Sequence, residues 1–379
     1  MSGTVANTVA TPRGGLPVWD WTLLTVIAAL GAVGLVFVYS ASIPYAGEKL
    51  ADTGFFLRRQ EVYMVVAAIA IAGVSQVSVE LWRRAALPAI LLGIVLLVMV
   101  LIPGIGREVN GSLRWISVAG LRLQPSEWIK VSFVLYMALL LTREKRNSVV
   151  PLLGPLVALF LITLLLLAEP DLGAAAVLAM TAAGMLFLAG LPLWQFAVLA
   201  SGLFGAVTVL TFTSPYRLAR LTAFLDPWAD PLATGFQLTQ SLMAFGRGGW
   251  MGVGLGQSVQ KLFYLPEAHT DFLLAVIAEE LGLIAVLLLL AAYAWLTLRA
   301  FTIARAALAR GDQFASQLAY GVGLLIGVQA LVNCGVNMGV MPTKGLTLPL
   351  LSYGGSSLLF TCFALGLLLR VDHENRTMK

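Results

Sequence analysis

The stretch Lys261 to Glu280, KLFYLPEAHTDFLLAVIAEE, runs from an irregular polar segment straight into a long apolar one that carries Asp271, Glu279 and Glu280. Pro266 stiffens the approach, and His269 and Thr270 stand just before the predicted helix. Asp271 then falls in its first turn, where the positive end of the helix dipole favours an anion. A carboxylate held at that edge can accept a proton from an incoming hydroxyl. Glu279 and Glu280 lie about 12 Å further along at 1.5 Å per residue, and ionisable groups at such depth mark a functional interior. The same residues also fit a simpler arrangement, with Asp271 as a helix cap and the glutamates paired locally. The spacing leaves both open and gives Glu279 and Glu280 no defined role.

Other apolar runs are interrupted by polar groups as well. In RWISVAGLRLQPSEWIK, Arg114 to Lys130, Pro125 suits a first helical turn and Glu127 and Lys130 share one helical face. A lysine within hydrocarbon needs a carboxylate, with Glu127, Asp171 and Asp271 as candidates; a plain structural ion pair is the alternative. The turn EPDLG, Glu169 to Gly173, puts two acids at a hairpin, with Asp171 suited to cap the next helix. Tyr216 to Pro231 carries Arg217 and Arg220 among apolar residues, the pattern of a helix lying in the membrane interface. Lys344 sits in MPTKGLTLPLLSYGGSS, a permissive backbone that suits a phosphate or a lipid headgroup. The glycines between Gly246 and Ser258, GRGGWMGVGLGQS, lack the flanking strand of a dinucleotide fold. They let backbone lie close to a ligand or to the bilayer, or simply flex. Cys334 and Cys362 read as small core residues rather than as a disulfide or metal site.

The elements that must position these groups follow from composition. The 379 residues are 59% hydrophobic and 11% charged, with a mean hydropathy of +0.90, which excludes a soluble domain and indicates an all-α polytopic membrane protein. The net charge of +5 comes from basic residues clustered in loops, pointing to anionic lipid or an anionic substrate and not to nucleic acid. At about 20 residues per span, ten transmembrane helices are expected near 21–43, 62–79, 86–102, 126–142, 149–168, 172–189, 193–212, 271–298, 317–337 and 355–371. Residues 21–371 then form a single membrane domain between tails at 1–20 and 372–379, with 1–17 disordered. The apolar run after Asp20 is too long for a signal peptide and is expected to remain as the first span. The long loops 44–61, 103–125, 213–270 and 338–354 share one face, and 213–270 is the largest. Setting that largest loop aside, Lys and Arg number twelve on the short-loop face with the tails against seven on the long-loop face. That imbalance places both termini in the cytoplasm and the long loops outside.

The segments LRWISVAGLRLQPSEWIK, EPDLG, FLDPWADPLATGFQLTQSLMAFGRGGWMGVGLGQS, QKLFYLPEAHTDF and MPTKGLTLPLLSYGGSS resemble, in order, those of the SEDS family of ten-span bacterial cell-wall proteins, which includes FtsW, RodA and SpoVE. The likeness covers essentially residues 20 to 371 and is closer to the division branch than to the elongation branch. It implies a peptidoglycan glycosyltransferase of the bacterial cytoplasmic membrane that polymerises lipid II on the outer face. A lipid II flippase is the alternative. The family's catalytic acid maps to Asp271 and its polar cavity to Glu127, Lys130 and Asp171. Arg114, Arg217, Arg220 and Lys344, basic and beside these motifs, are added as readers of the diphosphate. The resemblance further implies a class B penicillin-binding protein as partner, among other divisome or elongasome membrane proteins. A divalent cation, Mg or Mn, is compatible with the chemistry; its ligands are undefined, and no organic cofactor is expected. A good leaving group needs only a base for a single inverting displacement, so one carboxylate suffices where hydrolases need two. Lys130 and the helix dipole would keep Asp271 ionised, while burial would oppose it.

Overall fold

The computed structural model describes residues 19–109, 112–118, 121–143, 150–212, 215–343 and 345–378. The expected tail at 1–17 and the position of Lys344 therefore lie outside the described residues. Each predicted span coincides with a long helix: α1 (Trp21–Leu50), α2 (Phe55–Gln76), α3 (Val79–Leu101), α4 (Pro125–Arg143), α5 (Val150–Ala168), α6 (Leu172–Leu188) and α7 (Leu193–Phe212), then, after α8 (Pro215–Leu225) and α9 (Phe236–Gly248), α10 (Leu273–Ala309), α11 (Gln313–Asn337) and α12 (Gly355–Thr377). Several run beyond their apolar windows. Arg58 and Arg59 lie inside α2, Arg83 and Arg84 inside α3, and Arg299 and Arg305 inside α10, because hydropathy marks the buried part of a helix and not its hydrogen-bonded ends. For the same reason most of the predicted tail at 372–379 is the last turns of α12. By length and composition, five of the described helices can cross a membrane: α1, α3, α10, α11 and α12.

The large loop is not irregular. Its first part is α8, where the interface helix was expected, and α9 follows, with a short π-helical turn at Gln260–Tyr264. The fold is also not purely helical. Residues Gly106–Val109 (β1), Ser112–Val118 (β2) and Leu121–Leu123 (β3) form an antiparallel sheet in the order β1-β2-β3. Polar and apolar residues alternate over Ser112 to Trp115, and β-branched Ile116 and Val118 extend the strand; β2 delivers Arg114 to the site face.

α10 to α12 are mostly buried, while α1 and α3 turn most of their apolar surface outward. Two features fix the start of α10. Its backbone breaks at Gly282, at φ 77°, a left-handed conformation that an L side chain rarely adopts. Across the break the glycine-rich loop supplies backbone hydrogen bonds: Val253 N–H to Glu279 C=O and Gly254 N–H to Glu280 C=O, both at 3.0 Å, and Leu283 N–H to Gly249 C=O at 2.9 Å. Gly248 and Gly252 thus allow a close backbone crossing. A Cβ at Gly252 would stand 2.1 Å from Glu280 O, and one at Gly248 1.9 Å from Ala278 O.

Candidate active site

Asp271 precedes α10 rather than occupying its first turn; Phe272 is the N-cap and offers no capping side chain. The missing cap comes from α11, where Gln329, Asn333 and Asn337 form one polar stripe at four-residue spacing. Asn333 and Asn337 donate Nδ2 to the Asp271 carbonyl at 2.9 and 3.0 Å, and Asn337 Oδ1 accepts from Ala275 N–H at 3.2 Å. The main chain of Asp271 is pinned, and among the described residues no hydrogen bond holds its carboxylate, which is half-buried. Gly345 lies against it: a Cβ there would stand 3.1 Å from Asp271 Oδ2. The approach is packed on aromatic rings. His269 lies 4.6 Å from Phe56 and 5.8 Å from both Tyr45 and Tyr353, and its carbonyl accepts from Tyr353 N–H at 3.0 Å. Glu267 and Leu350, in the two loops that meet at this aspartate, hold positive φ of 56° and 69°. Strain of that kind persists only where the surroundings fix the backbone.

Of the opposing influences on Asp271, burial prevails. Burial raises its pKa to about 7, helped by the charges of Glu267 and Asp171, while Arg114 and Arg220 pull the other way. The structure therefore brings Arg114, Asp171 and Arg220 within electrostatic reach of Asp271. Arg114 donates to the carbonyls of Glu169 and Pro170, and Arg220 to that of Thr343 at 3.2 Å. Asp171 caps α6 through Ala174 N–H at 3.1 Å and accepts from Ser126 Oγ at 3.1 Å. Beside it, Glu169 is fully buried, and among the described residues neither of its carboxyl oxygens is hydrogen-bonded; burial together with the Asp171 charge lifts its pKa to about 8. The side chain of Arg217 lies outside the described residues.

Lys130 is not a partner of Asp271 or Asp171. Its Nζ donates to Glu127 Oε1 at 2.9 Å and to Gln329 Oε1 at 2.7 Å, tying α4 to α11. The space beside it is about 10 Å³, room for about one water and not for a sugar. Glu279 and Glu280 are equally occupied. Glu279 accepts from Arg247 at 2.9 Å, from Ser258 Oγ and from the N–H groups of Val259 and Gln260. Glu280 accepts from Lys261 Nζ at 2.7 Å and Ser40 Oγ at 3.1 Å. Both glutamates clamp the loop that precedes the site. Cys334 and Cys362 are buried and free. Gln329, Asn333 and Asn337 were missed in the sequence although their stripe is visible there; Glu169 gave no signal apart from its turn. Among the described residues no three His, Cys, Asp or Glu side chains converge as a metal cage.

A sequence-family model described as "Cell cycle protein", covering FtsW, RodA and SpoVE, matches residues 20–377. A protein named probable peptidoglycan glycosyltransferase FtsW in Thioalkalivibrio sulfidiphilus is 53% identical over 356 residues, 93% of this chain and 88% of that one. Its namesake in Nitrosococcus halophilus is 49% identical over 368 residues, 97% of this chain and 95% of that one. Among solved structures, a chain of a peptidoglycan synthase complex that coordinates polymerization and crosslinking superposes with a TM-score of 0.78 at 32% identity, covering 95% of this chain and 99% of that one. The rod shape determining protein RodA of Thermus thermophilus gives 0.70 at 29% identity, covering 94% and 98%.

Proposed function

This chain belongs to the FtsW, RodA and SpoVE family, and we propose from that membership how it works as a peptidoglycan glycosyltransferase. It polymerises lipid II, with Asp271 as the base. The acceptor hydroxyl attacks the anomeric carbon of a sugar that carries a lipid diphosphate. The new glycosidic bond forms as the bond to the diphosphate breaks, the diphosphate leaves with the electron pair, and the hydroxyl proton passes to Asp271. A carboxylate with a pKa near 7 suits proton acceptance at neutral pH. Arg114 and Arg220, with Arg217 and Lys344 as further candidates, would face the growing negative charge on the leaving group. Asp171 positions the turn that holds Arg114, and Glu127 with Lys130 holds α4 to α11 beneath the site. The described residues do not build a cage for Mg or Mn, so a cation would rest largely on the diphosphate, and no step is assigned to it.

The same reading has ten spans, both termini in the cytoplasm of a bacterium and the Asp271 face outside the inner membrane. A class B penicillin-binding protein is the partner, as the synthase-complex likeness suggests. The observation that carries the catalytic assignment is the Asp271 carboxylate, held by a pinned main chain yet left without a hydrogen bond of its own among the described residues. The test is glycan polymerisation by the purified chain in detergent, alone and with its partner. Wild type should yield polymer and Asp271→Asn none at unchanged expression and partner binding. Wild-type turnover by the variant would overturn the base assignment. Absence of polymer from the wild-type pair, together with leaflet transfer of lipid II in vesicles, would favour a flippase.

A further inference from the structure

A second cleft lies far from Asp271. Trp19, Asp20, Trp21, Trp295, Arg299 and Arg376 are among the residues that line its roughly 530 Å³, a volume in the usual range for a small-ligand site. Tyr353 at the head of α12 touches the Asp271 loop, whereas Arg376 is in the last turn of α12. The 23 residues of that helix put the cleft about 35 Å away, at the opposite end of the bundle.

Asp20 organises the cleft. It is 4% exposed and caps α1 through Leu23 N–H at 3.1 Å. It also receives Arg299 Nε at 2.6 Å and lies 3.5 Å from Arg376 Nη2. Arg376 is further held by Asp372, which accepts from its Nε at 2.6 Å. Both guanidinium groups are thus fixed by buried acids while each side chain stays 32% exposed. Each has five N–H donors, and these pairs do not use all of them. Leu298, Arg299 and Thr302 of α10 line the cleft, and Arg305, one turn beyond on that stripe, is exposed and forms no ion pair among the described residues. Trp21 and Leu298 at the rim are 72% and 62% exposed. Tryptophan and arginine at one end of an apolar bundle are interfacial groups. Fixed guanidinium donors beside an exposed apolar rim match a phosphate that carries acyl chains.

We infer that this cleft binds the headgroup of an anionic phospholipid, its phosphate on Arg299 and Arg376 and its acyl chains along Trp21 and Leu298. The inference is independent of the catalytic reading, because no residue of the cleft belongs to the Asp271 site. It is tested by native mass spectrometry of the full chain in detergent with equal amounts of phosphatidylglycerol and phosphatidylcholine. Wild type should retain phosphatidylglycerol about tenfold more, a difference of about 1.4 kcal/mol. Arg376→Gln should remove most of that preference, as should Thr302→Trp, which fills the cleft without removing a charge. Glycan polymerisation in lipid-free detergent should be unchanged in both variants. Equal retention of the two lipids by wild type overturns the proposal, and so does an unchanged preference in Thr302→Trp, which decides the matter if Arg376→Gln fails to fold. Inorganic phosphate that displaces phosphatidylglycerol at equal concentration would identify a free-anion site and overturn the lipid assignment.

Discussion

At Asp271, burial and charge act in opposite senses, and the balance leaves the carboxyl with a pKa of about 7. Below that value the base holds its proton already, so the rate of polymerisation should rise as pH increases through about 7 and then level off. Arg114 lowers the pKa of Asp271, so Arg114→Ala should move that limb to higher pH besides weakening substrate use. A profile flat across the neutral range would remove Asp271 from the rate-determining proton transfer. Glu169 gives a separate outcome. Its pKa is about 8 in the fold against an ordinary 4.5, so between these values the unfolded chain is ionised while the folded one keeps its proton. Folded stability therefore falls as pH rises through that window. Glu169→Gln carries no such proton and should match wild type near the lower value, then melt progressively higher toward the upper one, by at most a few kcal/mol. An identical offset at every pH would mean that Glu169 is ionised throughout.

Among the elements, the break in α10 is the most sensitive. Gly252 and Gly282 both have positive φ, and a Cβ on either would meet backbone atoms at 2.1 and 2.4 Å. Gly252→Ala should cost about 2 kcal/mol or more and loosen residues 249–261, visible as faster amide exchange. Gly202→Ala in α7, where the Cβ meets nothing within 4 Å, should be neutral or stabilising by up to about 1 kcal/mol. Equal melting of the two variants would show that the crossing carries no load. The helices themselves were legible in the sequence, because long apolar runs dominate it. The break was not, since one glycine in a long apolar run carries no breaking signal of its own, and its cause lies about thirty residues upstream in Gly249 to Gly254. The interface helix could be read from Arg217 and Arg220, whereas β2 could not, because its alternation covers only four residues and is short beside the helices that flank it.

For the whole molecule, the division of loops by length leads to a test of orientation. The two native cysteines are buried, so single cysteines introduced at exposed positions report with little background. A cysteine at exposed Tyr45, on the Asp271 face, should react with an impermeant thiol reagent in intact cells, and one at exposed Arg305 only after the membrane is opened. The reverse pattern would place the active face in the cytoplasm. Asp271 and Asp171 could be placed together from the sequence through the family resemblance, and Arg220 because it is basic and stands in a loop on the same face. The stripe of Gln329, Asn333 and Asn337 was overlooked because uncharged amides barely lower the hydropathy of α11, although they hold both the base and Lys130. That stripe has a consequence for drug resistance. An inhibitor that engages the Asp271 carboxylate binds a group whose main chain is anchored from another helix, so a single mutation cannot shift the target without losing the anchor. Escape mutants should accordingly arise among side chains that border the carboxylate, with Gly345 first, and not at Asn333 or Asn337.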